Sequence, residues 1–115
     1  MHQKALGLFE ALGYKKGIAE LYGNQCVVYG SRMELEKAEE MCRKALAMQE
    51  TLGNKKDMAI DYTNLGNIYA RRGELEKARE MYQKALALFK AVGAERMVKK
   101  VEASLDSLNK SRAER

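Results

Sequence analysis

Residues 58–89 of the chain read MAIDYTNLGNIYARRGELEKAREMYQKALALF. Apolar residues recur in this stretch at spacings of three and four, the pattern of amphipathic helices. Gly73 separates two such runs, as a helix-ending glycine would. The small residues Gly66, Ala78 and Ala85 would let two helix backbones approach closely. Large side chains are available to fill the space around them: Tyr62, Leu65, Tyr69 and Tyr82. The stretch therefore predicts a hairpin of two closely packed helices.

This hairpin pattern recurs along the chain at an offset close to 40 residues. The run KALA occupies residues 44–47 and again 84–87, and KALG stands at 4–7. The run ELEKA likewise occupies residues 34–38 and 74–78. A single offset across these pairs indicates an internal repeat, and repeated helical hairpins stack side by side into a solenoid. The sequence thus predicts an all-α solenoid of antiparallel hairpins.

Glycines and capping residues indicate where the helices end. Gly53 and Gly73 each follow a periodic apolar run, and Asn54 is a suitable N-cap with Asp57 in the first turn of the next helix. The predicted helices are at about 1–12, 15–30, 34–52, 55–72, 74–92 and 95–111. Short connections between them predict that successive helices are antiparallel neighbours.

Residues 62–86 resemble a tetratricopeptide repeat (TPR), whose pattern places an aromatic, Leu-Gly and Tyr on a first helix and Ala and aromatic residues on a second. The matching residues are Tyr62, Leu65, Gly66, Tyr69, Gly73, Ala78, Tyr82, Ala85 and Leu86. The preceding copy departs from the pattern at four positions, which are Gln25, Cys26, Met33 and Cys42. The repeat is also longer than the usual ~34 residues and has no Pro, which resembles the TPRs of the kinesin light chain type.

The resemblance implies a single TPR domain over residues 1–115 that forms a right-handed superhelix. The domain would comprise an orphan second helix, two repeats and a terminal capping helix, at residues 1–12, 15–52, 55–92 and 95–111 respectively. The last helix is predicted to be a cap because Asp106 takes the place of a small residue, and a charged group there would prevent a further helix from docking closely.

Composition and motifs argue against several classes of function. The net charge of +5 comes from interleaved acids and bases, which is typical of solvated helix faces, and no aromatic or Gly-rich motif accompanies it to predict nucleic-acid binding. No apolar run approaches the roughly 20 residues of a membrane span, and a signal peptide is not recognisable. The glycines form no phosphate-binding motif. A soluble cytoplasmic protein without a cofactor is therefore expected.

Catalytic and metal-binding groups are few. His2 is the single histidine and lies at a terminus, so no Ser-His or Cys-His arrangement is available. Cys26 and Cys42 are too far apart for a CxxC pair, and no metal site is predicted. The two cysteines are expected to be reduced, buried thiols that face each other across helices 15–30 and 34–52. The sequence accordingly predicts a protein without enzyme activity.

A polar stripe on the helix at 55–72 is the candidate binding surface. Its members fall at i, i+4, i+7 and i+11 and share one face: Ile60, Asn64, Asn67 and Arg71. In TPR proteins the first helices line a concave groove, so the resemblance implies that this face binds a protein or peptide segment. The predicted peptide-binding residues are Asn24, Asn64, Asn67, Arg71 and Lys100.

Asn24 and Asn64 have the chemistry that backbone recognition needs, because an Asn side chain both donates and accepts hydrogen bonds. The alternative is that both simply bond a neighbouring helix end or water. The predicted function is a protein–protein interaction scaffold. The alternative function is a structural element that self-associates through its incomplete repeat ends, as a homodimer through residues 1–12, whose apolar side chains lack their usual cover.

Overall fold

Five α-helices make up the described part of the chain. The computed structural model describes residues 13–113, with side chains to residue 110. The helices are α1 (Tyr14–Ser31), α2 (Leu35–Leu52), α3 (Lys55–Arg71), α4 (Leu75–Ala91) and α5 (Glu95–Ala113). No strand occurs between residues 13 and 113. The predicted all-α fold is confirmed, whereas the helix predicted at 1–12 lies outside the described residues.

The four turns between these helices close in the same way. In each, a backbone N–H beyond the helix donates to the carbonyl five residues earlier: Glu34 to Tyr29 at 2.9 Å, Asn54 to Gln49 at 3.0 Å, Glu74 to Tyr69 at 2.9 Å and Ala94 to Phe89 at 2.9 Å. This closure requires a residue with positive φ. In three turns that residue is a glycine: Gly53, Gly73 or Gly93. In the first turn it is Met33, with φ of 62°, so a side chain occupies a conformation that favours glycine.

The N-terminus of α3 is capped as predicted. Oδ1 of Asn54 accepts the backbone N–H of Asp57 at 3.3 Å, and Nδ2 of Asn54 donates to Asp57 Oδ2 at 2.6 Å. A side-chain cap of this kind stabilises a helix by ~1 kcal/mol. The cap fixes the start of the helix that carries three of the predicted binding residues.

The hairpin of α3 and α4 shows why small residues recur in the sequence. Gly66 lies directly against the ring of Tyr82, and a Cβ atom on Gly66 would lie 2.6 Å from Tyr82 Cε1. Ala78 and Ala85 are fully buried in the same core. The absence of larger side chains at these positions therefore lets the two helices approach closely, and the Tyr82 ring fills the remaining space.

Successive hairpins share one core. The chain packs α1 on α2 and α3 on α4 within hairpins, while α2 packs on α3 and α4 on α5 between them. Among the side chains that are fully buried in this core, the largest are Leu65, Tyr69, Phe89 and Val101. The first helices α1 and α3 also touch each other, and this contact creates the candidate site.

The two cysteines depart from expectation in their chemistry but not in their position. Cys26 on α1 and Cys42 on α2 face each other with Cα atoms 5.2 Å apart, and both are buried. Their sulfur atoms are bonded, so the prediction of reduced thiols is wrong for this structure. Helix packing brings to bonding distance two residues that are 16 apart in sequence, and sequence spacing alone does not reveal such a pair.

Membrane-spanning and metal-binding features do not occur in the described helices. None of the helices in residues 13–113 is both long and apolar enough to cross a bilayer. The same part of the chain holds no group of three or more His, Cys, Asp or Glu side chains that could bind a metal ion.

Candidate peptide-binding site

A cavity of about 90 Å³ lies between α1 and α3, and we refer to it as the α1–α3 cavity. Its walls are formed by Cys26, Val27, Gly30 and Ser31 of α1 and by Asn64, Asn67, Ile68 and Arg71 of α3. Three of the five predicted binding residues therefore meet at one place. They do so because they share one face of α3 and because α1 lies alongside that face.

Asn64 offers the α1–α3 cavity an amide that is not engaged elsewhere. The residue is half-buried, and no hydrogen bond between described residues involves its side chain. Asn24, at the equivalent position 40 residues earlier, is exposed on α1 and does not line the cavity. The two asparagines share a repeat position but have different surroundings.

Asn67 already takes part in the packing of its own hairpin. Tyr82 Oη on α4 donates to Asn67 Oδ1 at 2.5 Å. Burial raises the pKa of Tyr82, which keeps the phenol protonated as the donor. The carbonyl of Asn67 is thus occupied, while its NH₂ group remains as a donor at the cavity. Asn67 supports the fold as well as lining the candidate site.

Arg71 joins the two walls of the cavity. Its Nη1 donates to the backbone carbonyl of Gly30 at 2.8 Å. Gly30 lies in the last turn of α1, where the C-terminal carbonyls carry partial negative charge that a cation stabilises, and its carbonyl also accepts the backbone N–H of Met33 at 3.0 Å. The residue is nevertheless exposed, so part of its guanidinium faces solvent. Its charge is available to a ligand while one of its donors holds α1 to α3.

Lys100 is not brought to this cavity. It is exposed on α5, where it borders a separate surface depression with Glu95, Arg96, Lys99 and Ala103. The basic side chains of this depression are all exposed. Lys100 and the cavity residues therefore belong to different parts of the described surface.

A polar cluster centred on Glu39 was not predicted from the sequence. Glu39 on α2 accepts hydrogen bonds from Tyr69 Oη at 2.6 Å, Arg72 Nη1 at 2.5 Å and Arg43 Nε at 3.1 Å. Partial burial acts to raise the pKa of Glu39, but the hydrogen bonds from Tyr69, Arg72 and Arg43 outweigh it and lower the pKa to about 2. Arg72 also pairs with Glu74 at 2.7 Å. The cluster ties the second helix of one hairpin to the next hairpin, and only the stacked arrangement brings its members together.

The match to a known family extends over most of the described helices. The sequence model described as Tetratricopeptide repeat matches residues 17–91, which include the repeat positions, the cavity and the Glu39 cluster. The chain belongs to the tetratricopeptide repeat family. TPR repeats generally mediate protein–protein interactions, and the family typically acts as a non-enzymatic scaffold.

Solved structures support the same TPR fold. The chain is similar to the crystal structure of BtubC (BKLC) from P. vanneervenii, with a TM-score of 0.59 and 22% sequence identity. The similarity covers 96% of this chain and 54% of that one, so this chain spans about half the length of BtubC. The predicted resemblance to TPRs of the kinesin light chain type is confirmed at the level of fold. No curated protein matches the sequence.

Proposed function

We propose that this TPR protein is a non-catalytic interaction module that binds an extended protein segment at the α1–α3 cavity. The observation that carries the proposal is the meeting of Asn64, Asn67 and Arg71 in one cavity lined by two successive first helices. An extended segment running across both helices would contact equivalent positions in turn, since first helices recur along a TPR stack. The cavity is therefore one contact point along a longer binding surface.

The chemistry of the cavity fits the recognition of a peptide backbone. Asn64 supplies both a donor and an acceptor, and the NH₂ group of Asn67 supplies a further donor. Arg71 adds a positive charge that would favour an acidic side chain or a terminal carboxylate nearby. Val27 and Ile68 offer apolar surface for an adjacent side chain. We expect a partner segment that is extended, hydrogen-bonded through its backbone and carries an acidic group.

Selection from a phage-displayed library of unstructured peptides tests this proposal. The selected peptides are titrated by fluorescence anisotropy against the unmodified chain, Asn64→Ala and Gln83→Ala. Asn64→Ala should weaken binding by at least about fivefold, since a hydrogen bond contributes ~1 kcal/mol net. Gln83→Ala is the matched control, because it removes an exposed amide on α4 outside the cavity. Equal affinities for all three proteins would place binding elsewhere and contradict the proposal.

We propose that residues 15–52 and 55–92 act as the two repeats of this module and that α5 is its terminal cap. Asp106 on α5 occupies the repeat position of Gly66, and it is exposed. A further helix that packed as Tyr82 packs on Gly66 would have to bury this carboxylate, which is costly without a partner. The cap would leave the stack with a polar outer face.

Self-association is a second candidate function, and the outer face of α1 favours it. Leu21 is 53% exposed and Val28 is 47% exposed. The residues 40 and 80 positions later are all buried: Asp61, Ile68, Val101 and Leu108. On α3 this face lies against the preceding hairpin, since Asp61 is close to Gly23 of α1 and Ile68 lines the α1–α3 cavity. A second copy of the chain could cover the corresponding face of α1. Residues 1–12, through which a homodimer is expected, lie outside the described residues.

Sedimentation at rising protein concentration tests self-association. The mass should rise with concentration, and Leu21→Glu should return it to that of a monomer. Val27→Glu is the matched control, because Val27 is similarly exposed, at 52%, but lies at the cavity. A monomer at every concentration would contradict a dimer, and a lower melting temperature of Leu21→Glu alone would then indicate that residues 1–12 of the same chain cover this face.

A further inference from the structure

The disulfide takes the place of an aromatic contact that holds the next hairpin together. Cys26 and Cys42 stand 40 residues before Gly66 and Tyr82, the glycine and ring that lie against each other between α3 and α4. The first hairpin has no large side chain at the position of Cys42. Its closest interhelix contact is instead covalent, through two side chains that are 1% and 0% exposed.

We propose that the Cys26–Cys42 disulfide is a redox-sensitive latch that keeps α1 folded against α2 and so keeps the α1–α3 cavity intact. The role of the cavity in binding rests on the function proposed above. The latch itself concerns the order of α1 and can be measured without any ligand.

The composition of α1 makes it a weak helix on its own. It contains Gly17, Gly23 and Gly30, and glycine is among the least favourable residues in a helix interior. Packing does not require these glycines: a Cβ at Gly17 would meet nothing within 4 Å, and at Gly23 and Gly30 the nearest atoms would lie at ordinary contact distances of 3.7 and 3.9 Å. The helix also has no side-chain N-cap, no acid in its first turn and no base in its last. Its order must therefore come from tertiary contacts.

Those tertiary contacts are fewer for α1 than for α3, the equivalent helix of the next hairpin. Its outer face leaves Leu21 and Val28 about half exposed. The turn that joins it to α2 places Met33 at φ of 62°, where a side chain is disfavoured. The polar contacts of α1 with other helices include the hydrogen bond from Arg71 to Gly30 and cation–π contacts of Lys37 with Tyr29 and Lys44 with Tyr22. Loss of the covalent link would leave this helix weakly held.

Reduction is a two-electron exchange with a dithiol. When α1 opens far enough to expose the buried sulfurs, one thiolate of dithiothreitol attacks a cysteine sulfur, which breaks the Cys26–Cys42 bond and forms a mixed disulfide. The second thiol of the reagent then closes its own ring, releasing both cysteines as thiols and leaving dithiothreitol as the cyclic disulfide. In a reducing cytosol the pair would be open, whereas an oxidising compartment would keep it bonded. The latch thus links the order of α1 to the redox state around the protein.

The α1–α3 cavity depends on this helix. Its α1 wall is formed by Cys26, Val27, Gly30 and Ser31, and Gly30 also accepts the hydrogen bond that holds Arg71. When α1 loosens, the wall and this hydrogen bond are lost together. Reduction would therefore disrupt the α1–α3 cavity without altering α3, which carries Asn64.

Hydrogen exchange measured by mass spectrometry on the full chain tests the latch. The protein is compared before and after incubation with dithiothreitol, with alkylation in denaturant to count thiols. We expect exchange in α1 to rise at least tenfold on reduction, while exchange in α3 and α4 changes less than twofold. The variant Cys26→Ala/Cys42→Ala should show the fast α1 exchange both with and without dithiothreitol.

Two results would overturn the latch. One is a chain whose cysteines stay free after treatment with the thiol oxidant diamide, since no bond would then exist to break. The other is full reduction, verified by alkylation of both cysteines, with α1 exchange unchanged. The wild-type comparison alone decides the matter if the double variant fails to fold. Because no ligand is present, a failure of peptide binding to depend on Asn64 would count against the proposed function and not against the latch.

Discussion

Asp61 provides the sharpest test of the packing around α3. Its side chain is 4% exposed, and its Oδ2 has no hydrogen-bond partner among the described residues. Burial, and then the negative charge of Asp57, raise the pKa of Asp61 from 3.8 to about 7. The equivalent residue on α5 is Val101, which is fully buried. The fold thus accepts an apolar side chain at this position, and Asp61 should destabilise the protein when it ionises.

The sign and size of the effect follow from the two pKa values. An acid whose pKa is raised on folding contributes its full stability below its unfolded pKa, near ~3.9, and loses it as the pH rises through the folded value. Between pH 5 and pH 8 this single group should lower the free energy of unfolding by about 2–3 kcal/mol. Asp61→Asn should remove that pH dependence. Asp61→Val should raise the free energy of unfolding at pH 8 by at least ~2 kcal/mol, because no charge is then buried.

Urea unfolding followed by circular dichroism at pH 5 and pH 8 measures these values. Asp106→Asn is the matched control, since Asp106 is an exposed aspartate on α5, and it should keep the wild-type pH dependence. If the free energy of unfolding falls by the same amount from pH 5 to pH 8 in wild type and in Asp61→Asn, then Asp61 does not change its protonation on folding. That result would refute the assignment of this carboxyl as a buried, uncompensated group.

Two further predictions concern the contacts within and between hairpins. Glu39→Gln should lower the free energy of unfolding by about 1–2 kcal/mol at pH 6, because the ion pairs and hydrogen bonds of a carboxylate are lost. The folded pKa of Glu39 is about 2. The difference in free energy of unfolding between wild type and Glu39→Gln should therefore shrink as the pH falls from 4.5 towards 2. A difference that stays constant over this range in melting experiments would contradict the prediction. Gly66→Ala should cost ~1–3 kcal/mol through overpacking against Tyr82, whereas Gly17→Ala, where a Cβ would meet nothing within 4 Å, should stabilise α1 by ~0.5–1 kcal/mol; equal melting temperatures for the two variants would exclude the close contact.

The sequence predicted the fold well because glycines and small residues report directly on backbone geometry. Gly53 and Gly73 have the positive φ that their place after an apolar run predicts, and Gly66 has the close neighbour that its place among large residues predicts. The first turn shows the limit of such rules. Met33 adopts positive φ without being a glycine, because the hydrogen bonds of the turn impose that conformation on whichever residue stands there.

The candidate site could be predicted only in part. Helical periodicity places Asn64, Asn67 and Arg71 on one face of α3, and that placement needs no tertiary information. The bonds from Tyr82 to Asn67 and from Arg71 to Gly30 depend on how α3 meets its neighbours. Residues 41 apart in sequence, such as Gly30 and Arg71, come together only through the stacking of hairpins. The sequence pattern identified a polar face of α3. The stacking of the hairpins determines which polar groups on that face remain free to bind a partner.

Equivalent positions meet in successive hairpins even where their chemistry differs. Glu39 accepts a hydrogen bond from Tyr69 at 2.6 Å. Forty residues later, Arg79 donates to Asn109 at 3.1 Å, so the same two positions pair with donor and acceptor exchanged. The cysteine pair and the contact of glycine with tyrosine are related in the same way.

The backbone geometry of the repeat therefore decides which residues touch, and the residue types decide what the contact does. The contacts of one repeat therefore predict which positions are in contact in another repeat. On this basis, the face of α1 that contains Leu21 and Val28 should be buried, as the equivalent faces of α3 and α5 are. Inference across repeats is not sound for chemistry, because Asn24 does not inherit the surroundings of Asn64. This difference explains why equivalent positions can carry a disulfide in one repeat, Cys26–Cys42, and a packing contact that does not depend on redox state in the next, Gly66–Tyr82.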